Sequence, residues 1–158
     1  MTRRKAPGRI VEPIEAEKDD FAAGRPLNRK QVQEMIRRKE SLVEADLRGC
    51  DLSGVVFDGT DLSFAKFAEA NLARCSFKAC NLEGASFFGA SLKDAMLEDC
   101  LLEDADLDYA WLDGVSLKGS KVRKAIFPLK KVPLEDIRES VRSGKRLRME
   151  PMAVDDDD

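Results

Sequence analysis

The chain has 158 residues, 36% of them charged, a net charge of −3, 6% aromatic residues and no histidine. That length suits one domain with extensions, and no apolar run approaches the roughly 20 residues of a membrane span. A Ser-His or Cys-His pair is impossible without histidine, and dispersed basic residues in an acidic chain argue against direct nucleic-acid binding.

Residues 1–26 mix charge with Pro7, Gly8, Pro13 and Gly24 and show no period, which reads as a flexible arm. The start, Met1-Thr2-Arg3-Arg4-Lys5-Ala6-Pro7, is basic but no apolar core comes after it. No signal peptide is expected, and the compartment is read as cytoplasmic. Ile10, Val11 and Ile14 form a small apolar cluster within the arm. Asn28 with Gln31 three residues later is a helix-start pair, and Val32, Met35 and Ile36 repeat at helical spacing to about Lys39. Residues 27–43 are therefore expected to hold a helix that caps the start of the central segment.

The central segment keeps a strict period of five. From Leu47 through Leu52, Phe57 and onward to Leu117, Val122 and Phe127, every fifth residue is Leu, Phe or, once, Val. Two residues before each sits a compact side chain, from Ala45 and Cys50 to Ser120 and Ala125. Such a period fits neither a lone α-helix nor a flat strand. Apolar residues separated by one position face the same side of an extended segment. The fifth position then turns a corner, and seven of the ten glycines lie there. An extended side plus a corner, repeated, coils the chain with its apolar residues inside.

These residues resemble the pentapeptide-repeat family. Ala45-Asp46-Leu47-Arg48-Gly49, Thr60-Asp61-Leu62-Ser63-Phe64, Ala70-Asn71-Leu72-Ala73-Arg74 and Ala105-Asp106-Leu107-Asp108-Tyr109 match its A(D/N)LXX unit, and seventeen consecutive units cover about half the chain. The resemblance implies an all-β solenoid: a right-handed quadrilateral β-helix with four units per coil, here about four coils over residues 44–127. Residue n should then lie beside residue n+20. The column Asp58, Lys78, Glu98, Lys118 alternates in sign at that step, as do the pairs Asp46–Lys66 and Glu103–Arg123.

Cys50, Cys75, Cys80 and Cys100 all take the small inward position, which predicts buried free thiols rather than a zinc site. In residues 128–150, Pro133 opens a second expected helix with Leu134, Ile137 and Val141 on one face and Gly144 as its stop. That helix caps the last coil or pairs with its copy in a homodimer. Residues 151–158 end in four aspartates and read as an acidic disordered tail.

No catalytic motif, cofactor motif or metal-ligand spacing is present, so function is expected on the outer surface. Residues 93–113 hold eight acids against one base, Lys93. Phe88, Tyr109 and Trp111 fall beside that belt and predict an exposed aromatic patch. With Asp106, Asp108 and Asp113 they form the candidate protein-binding surface, unless the arm or the C-terminal helix folds over it. The expected function is a non-catalytic scaffold or adaptor for another protein, with no cofactor, nucleic acid or membrane. The alternative is a DNA mimic that occupies a type II topoisomerase and gives quinolone resistance, as some proteins resembling this one do. Duplex DNA carries about 12 charges over about 20 Å, whereas residues 45–127 hold 14 acids and 9 bases, a net of −5. That deficit favours the scaffold.

Overall fold

The computed structural model describes residues 25–150. Its first element is α1, Arg29–Arg37. The capping box forms as expected: Asn28 Oδ1 accepts the Gln31 N–H at 2.8 Å, and Gln31 Oε1 accepts the Asn28 N–H at 2.9 Å. Val32 is fully buried, and Met35 and Ile36 pack against the same core. The Leu27 N–H donates to the Asp46 carbonyl at 2.8 Å, so the segment joins the first coil edge-on as well as through its apolar face.

Residues 45–127 wind so that each twenty-residue step returns to the same side. One side climbs Asp46, Lys66, Ser86, Asp106, Ile126 through parallel bridges, and the next climbs Asp51, Asn71, Ser91, Trp111. The remaining two start at Val56 and Asp61 and keep the same step. Leu47 N–H donates to Lys66 O at 2.7 Å, Lys66 N–H donates back to Ala45 O at 2.8 Å, and this pattern recurs up the rod. Each corner residue from Glu44 to Lys124 takes the left-handed conformation, with φ between 56° and 84°.

The Asp or Asn of the repeat unit has a structural task. The N–H two residues after it lies outside the coil-to-coil ladder and needs an acceptor. Asp46, Asp51, Asp61, Asn71, Asn81 and Asp106 each supply it from a side-chain oxygen, at 2.9–3.3 Å. This is a local Asx-type turn, repeated along the rod.

Fifteen of the seventeen large repeat residues, Leu47 to Leu117, are buried, while Val122 and Phe127 at the C-terminal end stay half-exposed. Phe57 stacks on Phe77 and Phe67 on Phe87, each with centroids 4.9 Å apart and planes 3° from parallel. Cys75, Cys80 and Cys100 are buried free thiols, but Cys50 is half-exposed because it lies in the first coil, with no coil beneath it. The sign-alternating columns do not close as ion pairs. Asp58 instead accepts the Lys78 N–H and the Ser76 hydroxyl, and Glu98 accepts the Ser116 hydroxyl. Nearby backbone N–H groups and serine hydroxyls take these carboxylates, while the long lysines keep their freedom in water.

At the other end α2, Leu134–Ser143, stops at Gly144, which is left-handed at φ 84°. Ile137 and Ser140 are buried, Ser140 Oγ accepts the Leu117 N–H at 2.9 Å, and Val141 O accepts the Gly119 N–H at 2.9 Å. Residues 145–149 then run antiparallel across the neighbouring side. Leu147 O accepts the Gly114 N–H at 2.7 Å, and the Met149 N–H reaches Asp113 Oδ1 at 3.0 Å. The expected N-terminal arm up to residue 24 and the expected tail from residue 151 lie outside the described residues.

Candidate functional site

Phe88 and Tyr109 occupy the same side of the rod on successive coils. Phe88 comes directly after the inward Phe87 and so points outward. Tyr109 stands at the corner of the next coil, left-handed at φ 60°. Their rings meet at 5.1 Å and 56°, and both are exposed, Tyr109 to 72%. The corner geometry is imposed by the coil, but a large ring there is not required, since seven other corners use glycine. A bulky side chain in this region carries a conformational cost that glycine avoids.

Trp111 lies around the corner on the adjacent side, bridged to Ser91 and half-buried against the core. Among the described residues its ring meets neither Phe88 nor Tyr109, so the aromatic contact is a pair rather than a cluster of three. The acids beside it are partly committed. Asp106 Oδ1 accepts the Asp108 N–H at 2.9 Å, Asp108 Oδ1 accepts the Tyr109 N–H at 3.0 Å, and Asp113 holds Met149. All three are half-buried with their carboxylates fixed by backbone. The result is a small apolar platform framed by preorganised negative charge.

Two features escaped the sequence. Phe64 is a second exposed corner aromatic, and its ring lies over Gly84; a Cβ at Gly84 would come within 2.4 Å of it. The pairing of a corner aromatic with a glycine twenty residues on was the available signal. An open groove of about 650 Å³ also runs between α1 and the first coil, floored by Leu27, Met35 and Val43. Arg38 on its wall already pairs with Glu34 at 2.6 Å.

Among the described residues no group of three or more Cys, Asp or Glu side chains is arranged to hold a metal, and no helix is long and apolar enough to cross a membrane.

Residues 50–127 match the family model described as a pentapeptide repeat region. No protein of curated function matches the chain significantly. Among solved structures, a pentapeptide repeat protein of Nostoc PCC 7120 is 28% identical over 75% of this chain and 97% of its own, with a TM-score of 0.65. One from the Arabidopsis thaliana thylakoid lumen is 38% identical over 51% of this chain, with a TM-score of 0.50, and this chain spans only 55% of it. A match to QnrB1, a plasmid-mediated fluoroquinolone resistance protein, is 22% identical over 51% of this chain and 49% of that one, with a TM-score of 0.29, and carries nothing beyond the repeat. The repeat model, the twenty-residue coil and the solved β-helices agree: the chain belongs to the pentapeptide-repeat family, whose fold is the right-handed quadrilateral β-helix.

Proposed function

We propose that this chain is a non-catalytic cytoplasmic scaffold of about four coils with a helix at each end, and that it binds another protein through the Phe88–Tyr109 platform. The observation that carries this is the exposed ring pair, centroids 5.1 Å apart, held against fixed carboxylates. Aromatic anchors are what interfaces use as hot spots, and a rigid surface loses little entropy on binding. Among the described residues the two grooves are open ones, and a convex rod does not enclose a substrate. The partner surface is expected to be apolar with a basic rim, to match Asp106, Asp108 and Asp113.

Affinity capture from the native host tests this, comparing the wild type with a Phe88→Ala, Tyr109→Ala double variant. A protein retained by the wild type and lost from the variant supports the platform. Equal capture by both moves the site elsewhere. Tyr109→Gly separates binding from folding. It removes a left-handed cost of about 1 kcal/mol and an exposed ring contact of similar worth. Stability should therefore move by less than about 1 kcal/mol, while affinity falls about tenfold or more if Tyr109 is a hot spot. A supercoiling assay with purified gyrase checks the topoisomerase alternative, for which the net charge is too small; relief of quinolone inhibition would put that reading first.

A further inference from the structure

The C-terminal end of the rod is only half covered. α2 and residues 145–149 close two sides, but among the described residues the side carrying Val122 and the final turn carrying Phe127 have no layer above them. In every earlier coil the corresponding N–H groups donate upward, as Leu102 does to Lys121 O, Asp104 to Arg123 O and Leu107 to Ile126 O. The N–H groups of Val122, Lys124 and Phe127 have no acceptor among the described residues. Beneath this edge lies a groove of about 290 Å³, floored by Val122, Ala125 and Phe127 and walled by Leu134, Ile137 and Val141 of α2. The surroundings are basic: Arg138 and Arg142 line the groove, and residues 121–131, which supply its floor, also carry Lys121, Arg123, Lys124, Lys130 and Lys131 and no acid. Among the described residues none of these five forms an ion pair, whereas Arg138 and Arg142 pair along α2 with Glu135 and Glu139.

An unpaired strand edge over an apolar floor with a basic rim fits an extended segment that is apolar on one face and acidic beyond it. A second copy fits badly, because a two-fold contact through this end sets basic rim against basic rim. Residues 151–158, Pro-Met-Ala-Val-Asp-Asp-Asp-Asp, have the required pattern. Extended, Met152 and Val154 fall on one face, with four carboxylates beyond them. The approach is also set. Leu147 sits over Gly114 and Val115 and Met149 over Leu112 and Asp113, so the chain at Glu150 is travelling toward the corner beyond which Phe127 lies. Eight residues reach about 26 Å, more than one side of the coil. Tethered so closely, the segment has an effective concentration of about millimolar at the groove.

We propose that residues 151–158 dock on this end as a further strand. Met152 and Val154 enter the groove, backbone carbonyls accept the open N–H groups, and Asp155–Asp158 meet Lys121, Arg123 and Lys124. The segment thereby blunts an edge that otherwise invites pairing with another chain.

Amide hydrogen exchange by NMR on the full chain reads this directly. In the wild type, the Val122, Lys124 and Phe127 amides should exchange at least tenfold slower than unprotected amides. Replacing the four aspartates by lysine should abolish that protection, and adding Lys121→Glu with Lys124→Glu to the same chain should restore it. Wild-type amides that exchange freely would show an open groove and overturn the proposal. So would protection that ignores the tail charges, or protection that rises with protein concentration, which would assign the edge to a second copy.

Discussion

Replacing Phe77 with Ala should destabilise the protein by about 3–5 kcal/mol, the cost of emptying a large aromatic site in a core. Phe77 is fully buried, stacked on Phe57 at 4.9 Å and edge-on to Phe67 and Phe87 at 5.8 and 6.1 Å. Each such contact adds about 0.5–1.5 kcal/mol beyond burial. Backbone hydrogen bonds hold the coils at strand spacing above and below, so the cavity cannot collapse along the axis. Domains of this kind hold about 5–15 kcal/mol in total, so one truncation removes a large share. Phe77→Leu should cost only about 1–1.5 kcal/mol, because volume is largely kept and the same column continues with Leu97 and Leu117, both buried. Urea titration of the three proteins gives the comparison. A cost below about 1 kcal/mol for Phe77→Ala would show that the aromatic ladder is incidental to the core.

Much of this fold is legible in the sequence because a repeat states each contact many times over. The inward positions and the corner derive from a period that never slips between Leu47 and Phe127, and the twenty-residue step follows from the resemblance to the pentapeptide-repeat family. The less legible part concerns polar side chains, whose choice of partner depends on which backbone groups the ladder leaves open. Asp58 and Lys78 look like an ion pair in sequence, yet Asp58 bonds the backbone of Lys78. Asp106 looks like part of a free acidic belt, yet one oxygen is committed to Asp108. Glycine content is also an incomplete guide to the corners. Phe64, Ala79 and Tyr109 take the same left-handed turn as Gly84, since the ladder on either side dictates it. For the candidate site, adjacency of Phe88 and Tyr109 is readable from the step of twenty. The partial burial of Trp111 is not, because it depends on packing at the neighbouring side.

Alkaline pH should unfold this protein through its cysteines. Burial is the leading cause that pushes the thiols of Cys75 and Cys80 up to about 11 and that of Cys100 to about 12, from an ordinary value of 9.0. Each thiol donates inward to a carbonyl: Cys75 to Leu52 at 2.9 Å, Cys80 to Phe57 at 3.1 Å and Cys100 to Phe77 at 2.8 Å. A thiolate there would lose that bond and face an oxygen. Below pH 9 the thiols are protonated in both states and stability is untouched. As pH rises through 9 the unfolded chain ionises while the fold does not, so stability falls, and it keeps falling until 11 to 12, where the folded thiols titrate as well. Three such groups remove at most about 4 kcal/mol per pH unit in that window. The three thiols together remove at most about 9 kcal/mol, so a fold of about 5–9 kcal/mol should unfold roughly one to three units above pH 9. A variant carrying Cys75→Ala, Cys80→Ala and Cys100→Ser should resist it. Alanine already fills this position at Ala85, Ala95 and Ala105, and Ser120 makes the equivalent bond to Leu97 at 2.5 Å. The two proteins differ only at these three positions, so the difference between the two alkaline midpoints isolates the thiols. Circular dichroism from pH 8 to 12 measures it, and coincident curves would mean that the buried cysteines contribute nothing to the pH limit of the fold.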